Sequence, residues 1–417
     1  NSGTIKDVAG NDGILTHSAV DNNSSYKVDT TAPSVDNFTM NDTALKLGDN
    51  ATVTLRFSEA VILFNSDDDI TADNGTLSTM ISTDNKTWTG YFTPTDDIED
   101  NSSTLSLANN SYTDPAGNLG PDNQTANYEV DTREPTVSSV EITSAEGIQN
   151  NFVNATDNVS VTATFSEVVN VNTDNGTPTL TLVVGSDNRT ATYTSGSGSD
   201  DLVFRYTIQA TGTSGENDDN GISIDANAIA LNSGTIKDVA GNDGILTHSL
   251  VDNNSSYKVD TILPTLNSVA ITGAQGDQNS FLNATDNVSV TATFSEAVIV
   301  ASGTPRLTLA VGSDNRYATF ASGDNSTRFV YRYTIQSGDN DTNGISIGAN
   351  ALDNSSSTIS DPAGNIPDNL THSAVPDNSS LKVDTTAPSV DNFTMNDTAL
   401  KIGDNATVTL VFSEAVI

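Results

Sequence analysis

Apolar and polar residues alternate one by one along many short stretches of the chain. In ATVTLRFSEA (51–60) every second residue from Ala51 to Phe57 is apolar, and VSVTATFSE (159–167) and DLVFRYTIQ (201–209) show the same order. This period of two is typical of antiparallel strands that bury one face. No stretch has a convincing period of 3.6 residues, so the pattern predicts an all-β chain.

Internal repeats set the scale of the domains. The heptapeptide KVDTTAP stands at residues 27–33 and again at 382–388, and looser copies, EVDTREP and KVDTILP, begin at Glu129 and Lys258. Successive copies lie about 100 to 130 residues apart, which is the length of one compact domain. Each heptapeptide therefore predicts a linker between domains, whose proline restricts the freedom of the backbone.

Two longer identities define the repeat types. Residues 232–261 repeat residues 1–30 with one change, and residues 385–417 repeat residues 30–62 with two changes. We expect the physical protein to continue in both directions as a longer tandem array. The predicted domains are 1–29 (the C-terminal part of a long-type domain), 30–131 (short type), 132–260 and 261–384 (both long type), and 385–417 (the first two strands of a short-type domain).

About seven strands fit into each complete repeat, and this number favours a two-sheet Greek-key sandwich of the immunoglobulin type. Stretches rich in Gly, Asn and Asp, such as VGSDNR (184–189), separate the strands and predict hairpin loops. A tandem array of such β-sandwich domains predicts an extended rod. For the short repeat, the predicted strands are 35–41, 51–58, 68–74, 76–83, 87–93, 103–111 and 124–130.

Charge and composition exclude several classes of partner. The formal net charge is −38, and the chain has only 16 lysines and arginines. Nucleic acids and anionic membrane surfaces both need basic side chains, so neither is an expected partner. No run of about 18 apolar residues is present, so no membrane insertion is expected in this segment. Cysteine is absent, so disulfide bonds do not hold these domains together.

The order of motifs resembles that of a known family. DTTAP, GDNATVTLRFSEAV, DPAGN and YEVDT follow one another in the short repeat, and GTPTLTL, GISI, DVAGN, LTHS and YKVDT in the long one. This order resembles the tandem bacterial immunoglobulin-like repeats of giant calcium-binding surface adhesins and biofilm proteins. The resemblance covers essentially all 417 residues. It implies an extracellular location at the cell surface and a rod that calcium makes rigid.

Strand directions place one set of polar residues at the same pole of every repeat. Counted from the linker, the end of the second strand and the loop before the last strand both return to the linker pole. The residues there are the linker aspartate, the glutamate of FSE, and the aspartate and asparagine of D-x-A-G-N. The candidate ligands are Asp29, Glu59, Asp114 and Asn118; Asp131, Glu167, Asp238 and Asn242; Asp260, Glu296, Asp361 and Asn365; and, at the last linker, Asp384 and Glu414.

The chemistry of this set suits calcium. Three carboxylates in one small volume repel one another unless a cation neutralises them. Carboxylate and amide oxygens without His or Cys are the ligands of Ca²⁺, which takes about six to eight oxygens. The sequence therefore predicts calcium sites at the linkers. The alternative is that these residues cap turns and keep the surface soluble, because Asp and Asn are common turn residues.

A second candidate calcium loop lies in the repeat 261–384. The stretch DNDTNG (339–344) matches the opening of an EF-hand loop and offers Asp339, Asp341 and Asn343 as ligands. However, Asn350 stands where that loop needs a bidentate glutamate. A solvated turn is therefore an equally open alternative.

Candidate catalytic residues are scarce. The three histidines, His17, His248 and His372, all lie in LTHS at the same repeat position, which indicates an architectural role. The sequence contains no nucleophile elbow, no HExxH and no phosphate-binding glycine loop. We therefore expect a protein that is not an enzyme.

Two classes of function remain open. In the first, the repeats are a calcium-rigidified stalk or spacer of a large extracellular adhesion protein. In the second, they pack laterally with copies of themselves in a self-assembling surface layer, sheath or extracellular fibre. Accessory modules of a secreted enzyme are a more distant alternative. The expected partners are neighbouring repeats of the same chain, and the sequence does not reveal the surface ligand.

Overall fold

The computed structural model describes residues 3–210, 216–354 and 356–417. Repeat 1, repeat 2 and repeat 3 denote residues 30–131, 132–260 and 261–384. The chain divides into two compact units: unit 1 is Asn1–Pro135 with Lys237–Ile245, and unit 2 is Thr136–Ile236 with Leu246–Ile417.

Repeat 1 is a β-sandwich with one helical turn. Its elements are β1 (Val35–Met40), β2 (Ala44–Lys46), β3 (Ala51–Phe57), α1 (Ser66–Asp69), β4 (Ile70–Ala72), β5 (Gly75–Leu77), β6 (Thr87–Pro94), β7 (Glu99–Ser103), β8 (Leu105–Leu107), β9 (Asn123–Gln124) and β10 (Tyr128–Asp131). They form the sheets β1-β3-β6-β5, β2-β10-β7 and β4-β8-β9. The alternating stretch of β3 faces inward with Val53, Leu55 and Phe57, which are fully buried in the core.

Repeat 2 belongs mainly to unit 2 and pairs its strands in two sheets. Its strands are β11 (Val137–Glu146), β12 (Phe152–Val153), β13 (Asn158–Asn172), β14 (Thr179–Val184), β15 (Asp187–Ser195), β16 (Ser199–Thr207), β17 (Asn217–Asp218), β18 (Ile229–Ala230), β19 (Thr235–Lys237) and β20 (Lys258–Asp260). The larger sheet runs β11-β13-β16-β15-β14-β18, with β19 also on β13, and the smaller sheet runs β12-β20-β17.

Repeat 3 has the same topology. Its strands are β21 (Leu266–Gln275), β22 (Phe281–Leu282), β23 (Asn287–Ser302), β24 (Arg306–Val311), β25 (Asp314–Ser322), β26 (Ser326–Thr334), β27 (Asn340–Asp341), β28 (Leu352–Asp353), β29 (Thr358–Ser360) and β30 (Lys382–Asp384). The sheets run β21-β23-β26-β25-β24-β28, with β29 on β23, and β22-β30-β27. Each repeat has its own apolar core, so the described part of the chain is a series of β-sandwiches.

A short parallel pair joins the two ends of every repeat. β2 pairs parallel with β10, β12 with β20, and β22 with β30. The loop after the first strand therefore lies beside the last strand, next to the place where the following linker begins. The linker at the start of each repeat leads directly into the first strand, so the two linkers of a repeat attach at opposite poles.

The strand prediction for repeat 1 holds best where alternation is strongest, at β1, β3 and β6. It is wrong at the start of 68–74, where α1 forms first. Asn65 caps this turn with its side chain, which accepts the N–H of Asp67, and three aspartates occupy the first turn, where they favour the helix dipole. The predicted strand 103–111 is observed only as β8 (Leu105–Leu107), and the separate strand β7 (Glu99–Ser103) precedes it in another sheet.

The two partial repeats differ from the complete ones. Residues 3–29 contain no strand and expose all their side chains. Residues 385–417 form only the pair β31 (Val390–Met395) and β32 (Val408–Phe412). Within the described residues, no helix is long and apolar enough to cross a membrane.

Candidate metal centre

The D-x-A-G-N loops are turns that fix the position of their aspartate. In repeat 3, Asn365 donates its backbone N–H to Asp361 Oδ1 at 2.9 Å and its side-chain amide to Oδ2 at 2.8 Å. Gly364 has a φ of +92°, which favours glycine over residues with a Cβ. In repeat 1, Asn118 binds Asp114 in the same way, at 2.9 and 2.7 Å. Both aspartates are completely buried.

The same asparagines tie the loop to the incoming linker. Asn365 Nδ2 donates to the backbone oxygen of Asp260 at 2.9 Å, and Asn118 Nδ2 donates to that of Asp29 at 3.2 Å. The linker aspartate turns back on its own backbone, since Asp260 Oδ1 accepts the N–H of Ile262 at 2.9 Å. The side-chain nitrogen of each asparagine therefore donates hydrogen bonds to the linker and to the loop aspartate. The side-chain oxygen is the atom of each asparagine that suits a cation.

The two glutamates lie just after a strand or at an interruption within one. Glu59 follows β3 by two residues. Glu296 lies on β23, inside the interruption between Thr293 and Val298 where the pairing with β26 shifts register. Such a shift re-aims the side chains within it, and it turns Glu296 toward the linker.

Two complete triads of acidic residues lie within single units. In unit 1, one carboxylate oxygen from each of Asp29, Glu59 and Asp114 lies within 4.8 Å of the others. In unit 2, the same holds for Asp260, Glu296 and Asp361. Strand directions alone predict these two groupings. That they bind a metal stays a prediction.

In the triad of repeat 3, the charged forms of the carboxyl groups are less favourable than in the triad of repeat 1. Burial raises the pKa of Glu296 from 4.5 to about 7 and that of Asp260 from 3.8 to about 6, and neighbouring carboxylates add to both shifts. Burial also raises the pKa of Asp361. In repeat 1, by contrast, the hydrogen bond from the Asn118 side chain lowers the pKa of Asp114. A proton or a cation is therefore needed most at the triad of repeat 3.

Three of the four candidates at the linker after repeat 1 lie in unit 1. Asn242 Nδ2 donates to the backbone oxygen of Asp131 at 2.9 Å and to Asp238 Oδ2 at 2.7 Å. Burial raises the pKa of Asp131, and the charge of Asp238 adds to the shift. Glu167, the remaining candidate, lies on β13 in unit 2.

The last linker supplies a smaller set. Asp384 Oδ1 accepts the N–H of Thr386 at 3.0 Å. One carboxylate oxygen of Glu414 is buried and has no hydrogen-bond partner among the described residues. No third acidic residue of the described chain joins these two in a triad.

The second candidate loop has its oxygens occupied by protein donors. Asp339 accepts Arg316 Nε at 2.7 Å, the Tyr333 hydroxyl at 2.5 Å and a backbone N–H. Asp341 accepts the N–H groups of Gly312 and Gly344. Burial alone would raise the pKa of Asp339, but its donors outweigh burial and lower it.

These contacts favour a structural role for the loop. Asn343 directs its amide to Asp377 Oδ2 at 2.6 Å and away from the two buried aspartates. All four side-chain oxygens of Asp339 and Asp341 accept hydrogen bonds from described residues. Calcium binding at 339–344 stays a prediction, with less geometric support than at the linker triads.

Sequence reasoning missed the donors around Asp339. Repeat 2 has the same arrangement, in which Glu216 accepts from Arg189 and Tyr206. An alignment of the two repeats shows an arginine, a tyrosine and an acid at matching positions, and this was the available signal. Arg316 and Tyr333 are thus part of the acid's environment and not free surface groups.

The histidines have architectural contacts. His248 Nε2 accepts the N–H of Ala228, and His372 Nε2 accepts that of Ala351, both at 2.8 Å. Nδ1 of His248 lies 2.8 Å from the backbone oxygen of Ser249. Both ring nitrogens of His248 therefore bind backbone, which fixes its tautomer and agrees with an architectural role.

Comparisons with known proteins concern the fold. No curated protein matches the chain. The Plexin A4 full extracellular region, domains 1 to 10, matches 98% of this chain and 31% of that chain, at 10% identity and a TM-score of 0.17. The surface layer protein SbsC, domains 1-6, matches 92% of this chain and 57% of that chain, at 11% identity and a TM-score of 0.17. This chain spans less than two thirds of either structure, and TM-scores this low do not establish a shared arrangement.

A family model gives the more specific match. The model described as a bacterial Ig-like domain matches residues 29–130, which is almost all of repeat 1. The sheets of repeats 2 and 3 share the parallel pairing that joins the ends of repeat 1. The described chain is a tandem series of Ig-like β-sandwiches, of which repeat 1 matches the bacterial Ig-like family.

Proposed function

We propose that these repeats are a non-catalytic, structural segment of an extracellular cell-surface protein, stiffened by Ca²⁺ at its linkers. The observation that carries the proposal is the recurrent triad, which gathers a linker aspartate, a glutamate at the end or the interruption of a strand, and a loop aspartate. The donor atoms are all oxygens, which suits Ca²⁺. An adhesion stalk or spacer is the function that such an array serves best.

The position of the triad explains how an ion would stiffen the array. Asp260 belongs to the linker, whereas Glu296 and Asp361 belong to the sandwich that the linker enters. A cation held by all three restrains the linker against the sandwich. Without a cation, the buried carboxylates repel one another and favour a looser linker. Calcium therefore acts on the flexibility of the linker more than on the core.

Thermal unfolding and small-angle X-ray scattering test the proposal. A ligand that binds only the native state stabilises it by about 2.7 kcal/mol per site at a hundredfold excess over Kd. Extracellular modules bind calcium at about 10⁻⁴ to 10⁻³ M, so millimolar calcium should raise the Tm and lengthen the particle relative to chelator. An unchanged Tm and maximum dimension would refute calcium binding.

A variant pair assigns the effect to the triad. Glu296→Gln removes one charge from the triad, and Asp200→Asn removes one charge from an exposed position outside it. We expect Glu296→Gln to reduce the response to calcium and Asp200→Asn to leave it intact. Equal responses would place the calcium elsewhere. Negative-stain images add a test of the stalk, because isolated rods support it and ordered sheets contradict it.

A further inference from the structure

The loop after the first strand of repeat 2 clasps the D-x-A-G-N loop of repeat 3 within unit 2. Asn150 donates its side-chain amide to the backbone oxygen of Pro362 at 2.8 Å. Asn154 donates to the backbone oxygen of Ala363 at 2.9 Å. Ala363 is 1% exposed, so the contact also excludes water. We call residues 149–154 the far-pole loop of repeat 2.

The clasp meets the linker as well. Val153 pairs with Val259 in the parallel ladder, so the next residues on the two strands, Asn154 and Asp260, lie side by side. Asn365 of the clasped loop donates to the backbone oxygen of Asp260. The far-pole loop, the linker and the D-x-A-G-N loop therefore meet at one place.

Repeat 3 has the same far-pole loop, residues 278–283, but no described residue covers it. Asn279 and Asn283 correspond to Asn150 and Asn154, and no described residue accepts a hydrogen bond from their amides. Asn283 is exposed where Asn154 is half-buried. Phe281, between them, is 40% exposed.

The backbone of this uncovered loop is already in the clasping conformation. Gln278 and Phe281 exchange hydrogen bonds of 2.8 and 2.9 Å, as Gln149 and Phe152 do at 2.8 Å. The φ of Asn279 is +53° and that of Asn150 is +50°. A partner would therefore find both amides in position, with little ordering left to complete.

The sequence attached to repeat 3 indicates which partner fits. Residues 385–417 repeat residues 30–62 with two changes, so they have the sequence of the first two strands of repeat 1. In repeat 1, the D-P-A-G-N loop 114–118 contacts the linker that enters it, through Asn118. Leu282 pairs with Val383, which brings Asn283 beside the linker residue Asp384. A repeat 1-type sandwich begun by 385–417 brings its D-P-A-G-N loop to the same place.

The loop after the first strand of repeat 1, a short-type repeat, makes a different contact with the D-V-A-G-N loop 238–242. In unit 1, the backbone N–H of Leu47 donates to Asn242 Oδ1 at 2.9 Å. The donor there is the backbone of the short-type loop, and the acceptor is a side chain. Ala240, which corresponds to Ala363, stays exposed.

The side chain of Gln149, to which Gln278 corresponds, lies against Gly364 of the clasped loop. We infer that Gln278, Asn279 and Asn283 form a docking surface for the D-P-A-G-N loop of a repeat 1-type sandwich linked directly after repeat 3. The two amides bind the backbone oxygens of the proline and the alanine of that loop. The surface acts through neutral hydrogen bonds and does not depend on calcium.

Thiol crosslinking tests the docking surface. The sequence contains no cysteine, so only the introduced cysteines can react. Residues 63–131 are appended after Ile417, which completes a second copy of repeat 1. Gln278→Cys is combined with cysteine at the appended copy of Pro115, which corresponds to the partly exposed Pro362, and a short bis-maleimide is added in chelator. Gln149→Cys with Pro362→Cys is the positive control. Asn325→Cys, on the β25–β26 hairpin, replaces Gln278→Cys in the negative control.

The expected yield matches the positive control and exceeds the negative control by about tenfold, because docking holds the two thiols side by side, whereas the negative-control pair has only the effective concentration of the tether. Asn279→Ala with Asn283→Ala should lower the yield toward the negative control. Trp88 is the only tryptophan of the sequence, so Trp88→Phe in repeat 1 leaves the appended copy as the single tryptophan, and its emission reports that the added sandwich has folded. A folded appended sandwich whose yield equals the negative control, or whose yield ignores the double alanine change, overturns the inference.

Discussion

Repeats 2 and 3 have the same strands in the same order, yet several buried positions differ, and two of these differences involve polar atoms. The acid held by an arginine and a tyrosine is Glu216 in repeat 2 and Asp339 in repeat 3. On the central strand of the larger sheet, Phe204 of repeat 2 corresponds to Tyr331 of repeat 3, and both are fully buried. The two repeats therefore show how one β-sandwich topology accommodates different buried side chains.

The two differences have opposite consequences. Glu216 and Asp339 differ by one methylene, but each accepts a hydrogen bond from a tyrosine, an arginine and a backbone N–H, so the polar groups stay satisfied. The Tyr331 hydroxyl has no hydrogen-bond partner among the described residues, whereas Phe204 has no polar atom to satisfy. The comparison teaches that this fold tolerates a shorter or longer acidic side chain when the hydrogen-bond donors still reach it. A buried hydroxyl without a hydrogen-bond partner, by contrast, lowers the stability.

The largest expected effect comes from removing the acid. Asp339→Ala leaves Arg316 and Tyr333 without their acceptor, and it should lower the free energy of unfolding of repeat 3 by about 3 kcal/mol. This lies at the low end for broken buried pairs because the Arg316 side chain is 31% exposed and can rehydrate. Native-state amide hydrogen exchange on β26 measures the loss repeat by repeat.

The matched change in repeat 2 is Glu216→Ala, and amide hydrogen exchange on β16 measures its effect. Its cost should be similar, and each variant should leave the other repeat unchanged. If the free energy of unfolding falls by less than about 1 kcal/mol in both repeats, then water replaces the acid as the hydrogen-bond partner of the arginine and the tyrosine. The shared role assigned to the two acids would then be wrong.

The pH dependence at the linker triad is expected to be of intermediate size. The folded pKa of Glu296 is about 7 and that of Asp260 about 6, above the ordinary 4.5 and 3.8. Between about pH 4 and 7 the folded state therefore binds more protons than the unfolded state, so stability falls as the pH rises through this window. Calcium should oppose the fall, because it replaces the protons.

Glu296→Gln should change the sign of its effect with calcium. In chelator at pH 8 it should stabilise repeat 3 by about 1 kcal/mol, after allowance for screening of this partly exposed group. In millimolar calcium it should destabilise, because a ligand charge is lost. Thermal unfolding at pH 5.5 and pH 8, with calcium and with chelator, measures both arms. The same sign in calcium and chelator would remove the ion from the explanation.

The smallest expected effect is a reciprocal exchange in the core. Tyr331→Phe should raise the stability of repeat 3 by about 1 kcal/mol, because an unpaired buried hydroxyl is removed at nearly constant shape. Phe204→Tyr should lower the stability of repeat 2 by a similar amount. Hydrogen exchange on β26 and β16 resolves the two changes. If Tyr331→Phe instead destabilises, then the hydroxyl has a partner, such as a buried water molecule.

Alternation was sufficient to predict the main strands and, through their directions, the triads at the linkers. It was not sufficient for elements whose partners are distant. β12 and β22 are two residues long, too short for any period, and they form because β20 and β30 lie beside them. Alternation also does not locate the register shift around Glu296 on β23. The shift is a property of the pairing between β23 and β26, which the pattern of one strand does not contain.

The partial repeats show the same limit. Phe38 is 6% exposed in repeat 1, whereas its copy Phe393 is 66% exposed beside β32 alone. Leu55 is completely buried, whereas its copy Leu410 is 47% exposed. The local sequence is the same, so burial depends on the strands that cover it and not on the segment itself.

The parallel pairing of terminal strands also determines how a repeat bears tension. In repeat 1 the linkers pull β1 and β10 in opposite directions along their own axes, so the ladder bonds of β1 with β3 and of β2 with β10 are loaded in shear. Bonds loaded in shear must break together, and forced unfolding is then limited by a single high barrier. β11 pairs with β13 at eight positions, whereas β1 pairs with β3 at five. Under a stretching force, we therefore expect the β1–β3 ladder of repeat 1 to separate before the β11–β13 ladder of repeat 2.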